Sequence, residues 1–147
     1  MSVEIERKFL VTTTQYKSLA TTQVKITQGY LSKTPERTVR VRVAGDRAWL
    51  TIKGIGDAQG MVRKEWEYEI PKEDAIEMLA ICEKPLIEKT RYTIPYQSLT
   101  IEVDEFQKPL QTVWAEVELP AVDKPFDPPP WLGEEVTGNP NYYNARL

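Results

Sequence analysis

The chain has 147 residues, with 19 Lys+Arg, 22 Asp+Glu and no histidine, for a formal net charge of -3 at pH 7. A content of 41% hydrophobic and 28% charged residues fits one globular domain over residues 1–147 rather than a disordered chain, and the acidic balance argues against a general binder of nucleic acid or anionic membrane. Without histidine there is no Ser-His or Cys-His nucleophile and no His-ligated zinc, and the lone Cys82 allows no internal disulfide.

The opening MSVEIERKFLV mixes charged with apolar residues, unlike a signal peptide. No apolar run approaches the roughly 20 residues of a membrane span, so a cytoplasmic location is expected. Period-2 alternation, the mark of strands between two environments, dominates the chain. A first strand is expected over 3–11, then a short helix over 14–21. Strands 38–43 and 48–53 flank the turn Ala44-Gly45-Asp46, and Gly54-Ile55-Gly56-Asp57 precedes a strand over 62–70. After Pro71 a helix over 72–82 would place Ala75, Ile76, Leu79 and Ala80 on one stripe. Strands follow over 88–94, 99–106 and 112–119, the last two separated by Gln107-Lys108-Pro109. The proline-rich stretch 124–130 cannot join the middle of a sheet, and a last short helix is expected over 141–147. The outcome is a mainly β (α+β), mostly antiparallel protein with a few helices.

The polar faces of these strands carry mostly charges, sorted by sign. Glu4, Glu6 and Lys8 share one side of the first strand, opposite Val3, Ile5 and Phe9. The same holds for Arg40 with Arg42, Thr51 with Lys53, Arg63 with Glu65 and Glu67, Lys89 with Arg91, Glu102 with Asp104, and Glu116 with Glu118. Residues two apart on a strand lie roughly 6.5–7 Å apart on one face, so like charges there repel unless an opposite charge stands between or across. One such strand reads as a solvated face with cross-strand counter-charges. The whole set reads better as a barrel whose lumen is the charged face and whose apolar outside is covered by the helices. A lumen of this kind is costly without a ligand, because an uncompensated buried ion is strongly unfavourable. A polyanion with divalent cations would offset that cost. Basic side chains would clamp its phosphate oxygens, and pairs such as Glu4/Glu6 and Glu116/Glu118 are hard oxygen donors suited to Mg²⁺ or Mn²⁺.

In order, the chain carries Glu4-x-Glu6-x-Lys8, Thr38-x-Arg40-x-Arg42, Thr51-x-Lys53, Arg63-x-Glu65-x-Glu67, Lys89-x-Arg91, Asp104-Glu105-Phe106, Glu116-x-Glu118, Glu135-Val136-Thr137-Gly138 and Tyr142-x-Asn144. Together these resemble the CYTH, or triphosphate tunnel metalloenzyme, superfamily over nearly the whole chain, and its short bacterial inorganic triphosphatases above all. The resemblance implies an eight-stranded antiparallel β-barrel tunnel, with the further strand over 24–31 around Gln28-Gly29-Tyr30. It also implies metal-dependent hydrolysis of tripolyphosphate to pyrophosphate and phosphate. Class IV adenylyl cyclase, nucleoside or thiamine triphosphatase activity, or non-catalytic polyphosphate binding, are the alternatives on the same scaffold.

Under this resemblance Lys8, Arg40, Arg42, Lys53 and Arg91 bind phosphate oxygens, and Glu4, Glu6 and Glu118 hold one metal. A second metal falls to Glu67, Asp104 or Glu116. Lys89 is the candidate general base, with plain phosphate binding as its other reading; a lysine beside other cations has a lowered pKa. Arg63 either faces the substrate or pairs with Glu65. Tyr30 either hydrogen-bonds in the lumen or packs, and Tyr142 and Asn144 either plug a tunnel mouth or pack a helix. Trp49, Trp66, Trp114 and Trp131 are expected on the outside, where apolar strand faces make a homodimer conceivable. The implied partner is a small-molecule triphosphate.

Overall fold

The computed structural model describes residues 2–147. In chain order its elements are β1 (Ser2–Val11), α1 (Tyr16–Leu19), β2 (Thr22–Ser32), β3 (Thr38–Ala44), β4 (Arg47–Lys53), β5 (Val62–Ile70), α2 (Lys72–Ile81), β6 (Glu83–Tyr96), β7 (Leu99–Lys108), β8 (Thr112–Glu118) and β9 (Leu132–Glu135). Strands neighbour one another in the order β5-β4-β3-β2-β6-β7-β8-β1, and β1 pairs back to β5, closing an eight-stranded antiparallel barrel. Closure leaves few unpaired strand edges. One edge of β1 is shared: Ser2 to Ile5 pair with β5, and β9 takes up Phe9 and Val11. Among the described residues no helix is long and apolar enough to cross a membrane.

The apolar strand faces point outward and form two buried clusters, as the alternation predicts. One lies over β1, β6, β7 and β8, where Phe9, Tyr92, Ile101 and Val117 are covered by Tyr16 of α1 and by Trp131 and Leu132. The other holds Val41 and Ala48 under Ala75, Leu79 and Cys82 of α2 and its end. The charged faces point inward.

Four details differ from the sequence expectation. First, the buried stripe of α2 is Ala75, Met78, Leu79 and Cys82, while Ile76 is 54% exposed; the helix covers only β2, β3 and β4, and needs a narrow stripe. Second, the tail forms no α-helix. It adds β9 and two 3₁₀ turns, Pro140–Tyr142 and Asn144–Arg146. Third, Trp114 and Trp49 do not face outward: Trp114 is in register with Asp104 and Trp49 with Arg42, which places both in the lumen rows. Trp114 packs there with Tyr30, Ile87 and Phe106 as an apolar floor, against Tyr142, Ala145 and Leu147 of the tail. Fourth, α1 is shorter than expected, confined to Tyr16–Leu19.

The strand expected only from the resemblance is present as β2. Its alternation runs the other way at first, with Val24 and Ile26 in register with Arg91 and Lys89 in the lumen rows and Lys25 and Thr27 outward. Its next outward residue is Gly29. A Cβ there would come within 2.7 Å of Leu86 and 2.9 Å of Cys82, so glycine lets the chain after α2 lie directly on the barrel.

Candidate active site

Lys8, Arg40, Arg42, Lys53, Arg63, Lys89 and Arg91, all the basic residues singled out above, line one cavity of about 380 Å³ inside the barrel. Tyr30, Thr38 and Thr51 share its wall, and the tail contributes Tyr143 and Asn144. Of the six expected acidic residues, Glu6 and Glu116 line this cavity, while Glu4, Glu67, Asp104 and Glu118 lie off its wall.

Cross-strand partners fix each cation. Lys8 Nζ donates to the Tyr142 carbonyl at 2.8 Å and lies 3.5 Å from Glu116. Lys53 Nζ lies 2.8 Å from both oxygens of Glu4 and 3.7 Å from Glu65. Arg63 turns to the Gly54 carbonyl at 2.9 Å and to Thr38 at 3.3 Å, so it forms no pair with Glu65. Arg40 Nη2 donates to Thr51 Oγ1 at 3.2 Å and lies 3.5 Å from Glu67, whereas its buried Nε has no acceptor among the described residues. Arg42 Nε donates to Gln28 Oε1 at 2.8 Å.

Deepest is Asp104, 1% exposed, which accepts from Arg91 at 2.8 and 2.9 Å and from Lys89 at 2.8 Å. Both its oxygens are thereby engaged by cationic side chains, as both oxygens of Glu4 are by Lys53. Lys89 is fully buried and also donates to Asn144 Oδ1 at 3.1 Å. The β6–β7 register shifts between Glu88 and Lys89, the kind of irregularity that re-aims a side chain beside a site.

Burial and neighbouring charge set the protonation states. Burial works against ionised Asp104, but Arg91 and Lys89 overwhelm it and hold the carboxyl far below the usual range. Glu116 is likewise carried down to about 2 against its own burial by Lys8, Arg91 and Lys89. Burial, only partly opposed by Asp104 and reinforced by Arg91 and Arg42, brings Lys89 down to about 7. Arg42 is lowered by burial and by Arg40 and Arg91, three cations that repel one another. Opposite them, burial with Glu116 and Glu4 pushes Glu6 well up, burial with Glu4 pushes Glu65 up to about 7, and burial with Glu4 and Glu102 raises Glu118. Excess positive charge therefore borders excess negative charge, a field suited to a polyanion accompanied by cations.

Four residues of this arrangement were not singled out as site residues from the sequence: Gln28, Thr51, Glu65 and Asn144. Thr51 and Glu65 stood in the alternating rows, so pattern alone could have found them. Gln28 and Asn144 are uncharged, and only folding brings them together.

A family model described as the CYTH domain matches residues 2–144. An inorganic triphosphatase of Acetivibrio thermocellus is 47% identical over 149 residues, covering 100% of this chain and 94% of that protein. One of Nitrosomonas europaea is 37% identical over 151 residues, covering 98% and 95%. A crystal structure of an inorganic triphosphatase superposes with a TM-score of 0.66 at 33% identity, covering 99% of this chain and 94% of that one. Barrel, charged lumen and these matches agree: the chain belongs to the CYTH-domain family.

Proposed function

We propose that this protein is an inorganic triphosphatase that hydrolyses tripolyphosphate to pyrophosphate and phosphate in the barrel lumen, using Mg²⁺ or Mn²⁺. The observation that carries the reading is the convergence of nine basic side chains on one cavity, the seven above with Lys33 and Arg146, and a buried Arg40 N–H that lacks an acceptor among the described residues. An anion rich in oxygens satisfies such a wall, and tripolyphosphate is one. Both curated relatives bear the name inorganic triphosphatase, which supports hydrolysis over cyclisation or mere binding.

Phosphoryl transfer needs positioning and charge neutralisation more than covalent chemistry. Lys8, Arg40, Arg42, Lys53, Arg63 and Arg91 hold the phosphate oxygens, with Tyr30 on the same wall. Water attacks the terminal phosphorus, the bridging P–O bond breaks, and pyrophosphate leaves. Lys89 Nζ, neutral in a large share of molecules near pH 7, takes the proton from that water.

The acidic set fits a divalent cation. Glu6, Glu65 and Glu118 are hard oxygen donors raised first by burial and then by neighbouring carboxylates, so a bound cation would favour their ionised form. Among the described residues no three Asp, Glu or Cys side chains already form a cation cluster, as suits Mg²⁺, which takes one or two carboxylates and completes its shell with water and substrate phosphates. One or two of Glu4, Glu6, Glu116 and Glu118 would hold it, with Glu67 nearest to Arg40. When bound, the cation supplies Lewis-acid neutralisation of the phosphoryl oxygens.

The test is phosphate release from tripolyphosphate, ATP, thiamine triphosphate and pyrophosphate, each with Mg²⁺, Mn²⁺ or EDTA. Turnover of tripolyphosphate well above ATP, abolished by EDTA, is expected. No release from any of them would overturn the enzyme reading.

A further inference from the structure

We propose that Asn144 is a positioning residue of this reaction: its carboxamide oxygen fixes the Lys89 amine and, through Gln28, the Arg42 guanidinium. The proposal rests on the triphosphatase reading above. Its basis is a row of hydrogen bonds in which every proton is assigned. Arginine and lysine side chains only donate. Gln28 must therefore turn its Oε1 to Arg42 Nε, at 2.8 Å, which points its Nε2 at Asn144. Asn144 then meets two donors, Gln28 Nε2 and Lys89 Nζ, each at 3.1 Å, so its oxygen and not its NH₂ group stands there. Gln28 and Lys89 are both fully buried, where a lost partner is not replaced by bulk water.

As the neutral base Lys89 keeps two N–H donors and one lone pair. Asp104 and Asn144 take the two donors, and the residue lines the cavity. Two anchors therefore define where the lone pair points; with Asp104 alone the amine swings about one contact. The register shift between Glu88 and Lys89 makes side-chain support matter more. The tail delivers Asn144 to this depth by independent contacts. Lys8 Nζ donates to the Tyr142 carbonyl at 2.8 Å, and the Tyr142 ring meets Trp114 edge-on at 5.5 Å.

Two variants separate positioning from plugging. Asn144→Leu keeps bulk but removes the acceptor. Leu147→Ala loosens the same tail against the Trp114 cluster without touching the carboxamide row. With tripolyphosphate, Asn144→Leu is expected to lower kcat on the order of 10–100-fold while KM stays within about threefold, and Leu147→Ala is expected to leave kcat nearly unchanged. Melting curves are recorded for each; if leucine prevents folding, Asn144→Ser, which shortens the acceptor, should show the same split. Equal kcat losses in both tail variants would reduce Asn144 to a plug and overturn the proposal. So would an unchanged kcat, or a rise in KM alone. A wild-type protein inert on tripolyphosphate would instead remove the triphosphatase reading, and this proposal with it.

Discussion

Two buried side chains concentrate the chemistry at the residue scale. Asp104 compensates both Lys89 and Arg91. Asp104→Ala strands those cations in the interior, and a loss of about 3–5 kcal/mol is expected, since breaking a buried ion pair from one side leaves a charge uncompensated. Urea unfolding measures it; a loss below about 1 kcal/mol, the range of an exposed pair, would contradict the account. The proposed mechanism uses Lys89 as the neutral amine, and burial brings its folded-state pKa down to about 7. The kcat/KM for tripolyphosphate, at saturating Mg²⁺, should therefore rise with pH to about 7 and then level off. Lys89→Ala should lower kcat by about 10²–10⁴-fold, the usual share of a general base, and erase that limb. Retention of the limb in the variant would assign it to another group.

The elements that shape the cavity are held by backbone contacts as much as by side chains. The β4–β5 connection meets the tail where Gly60 approaches Gly138, both with positive φ, at 68° and 77°. A Cβ on Gly138 would collide with the Gln59 carbonyl oxygen. Asp57 Oδ1 accepts from the N–H groups of Met61 and Val62 at 2.8 and 3.2 Å, which fixes the same turn. Gly138→Ala must bear a left-handed backbone costing about 1–2 kcal/mol and also displace the turn. A lower denaturation midpoint is expected, with a raised KM because both segments wall the cavity. Wild-type stability in that variant would show that the contact does not constrain the loop.

For the whole molecule, charge repulsion across the lumen makes stability depend on pH and on cations. Unfolded glutamates release their protons near 4.5, while folded Glu65 keeps its proton to about 7, and Glu6 and Glu118 are raised too. Between these values the native state binds more protons, so stability declines as pH rises from about 4.5 to 7. Asp104, Glu116 and Glu4 act in the opposite sense, their contribution vanishing as pH falls below 4.5. Between about pH 4.5 and 7 the Tm of the metal-free protein should thus fall as pH rises. Mg²⁺ binds deprotonated carboxylates, so it should raise Tm more at pH 8 than at pH 5. An equal increment at both values would argue against a carboxylate site in the lumen.

Strand periodicity and the sorting of charge by sign are local properties, so the alternating strands, the barrel's two faces and the seven cations could be read from the chain alone. Resemblance supplied β2, whose apolar Val24 and Ile26 sit in the lumen rows, against the pattern of the other strands. Other features depended on register and on distant contacts. Period-2 reasoning applied residue by residue put Trp114 outside, although its spacing from Glu116 already sets it on the lumen side. Lys8 and Glu116 become partners only once strands far apart in sequence are aligned, and Arg91 and Asp104 only through the register of the β6–β7 hairpin. The resemblance nominated Asp104 as a metal ligand, and three-dimensional pairing shows both its oxygens held by Arg91 and Lys89. The meeting of Asn144 with Gln28 and Lys89 spans 116 and 55 residues. Local pattern thus determined which face of each strand carries charge, and tertiary structure decided which charges meet, because electrostatic pairing depends on distance in space and not along the chain.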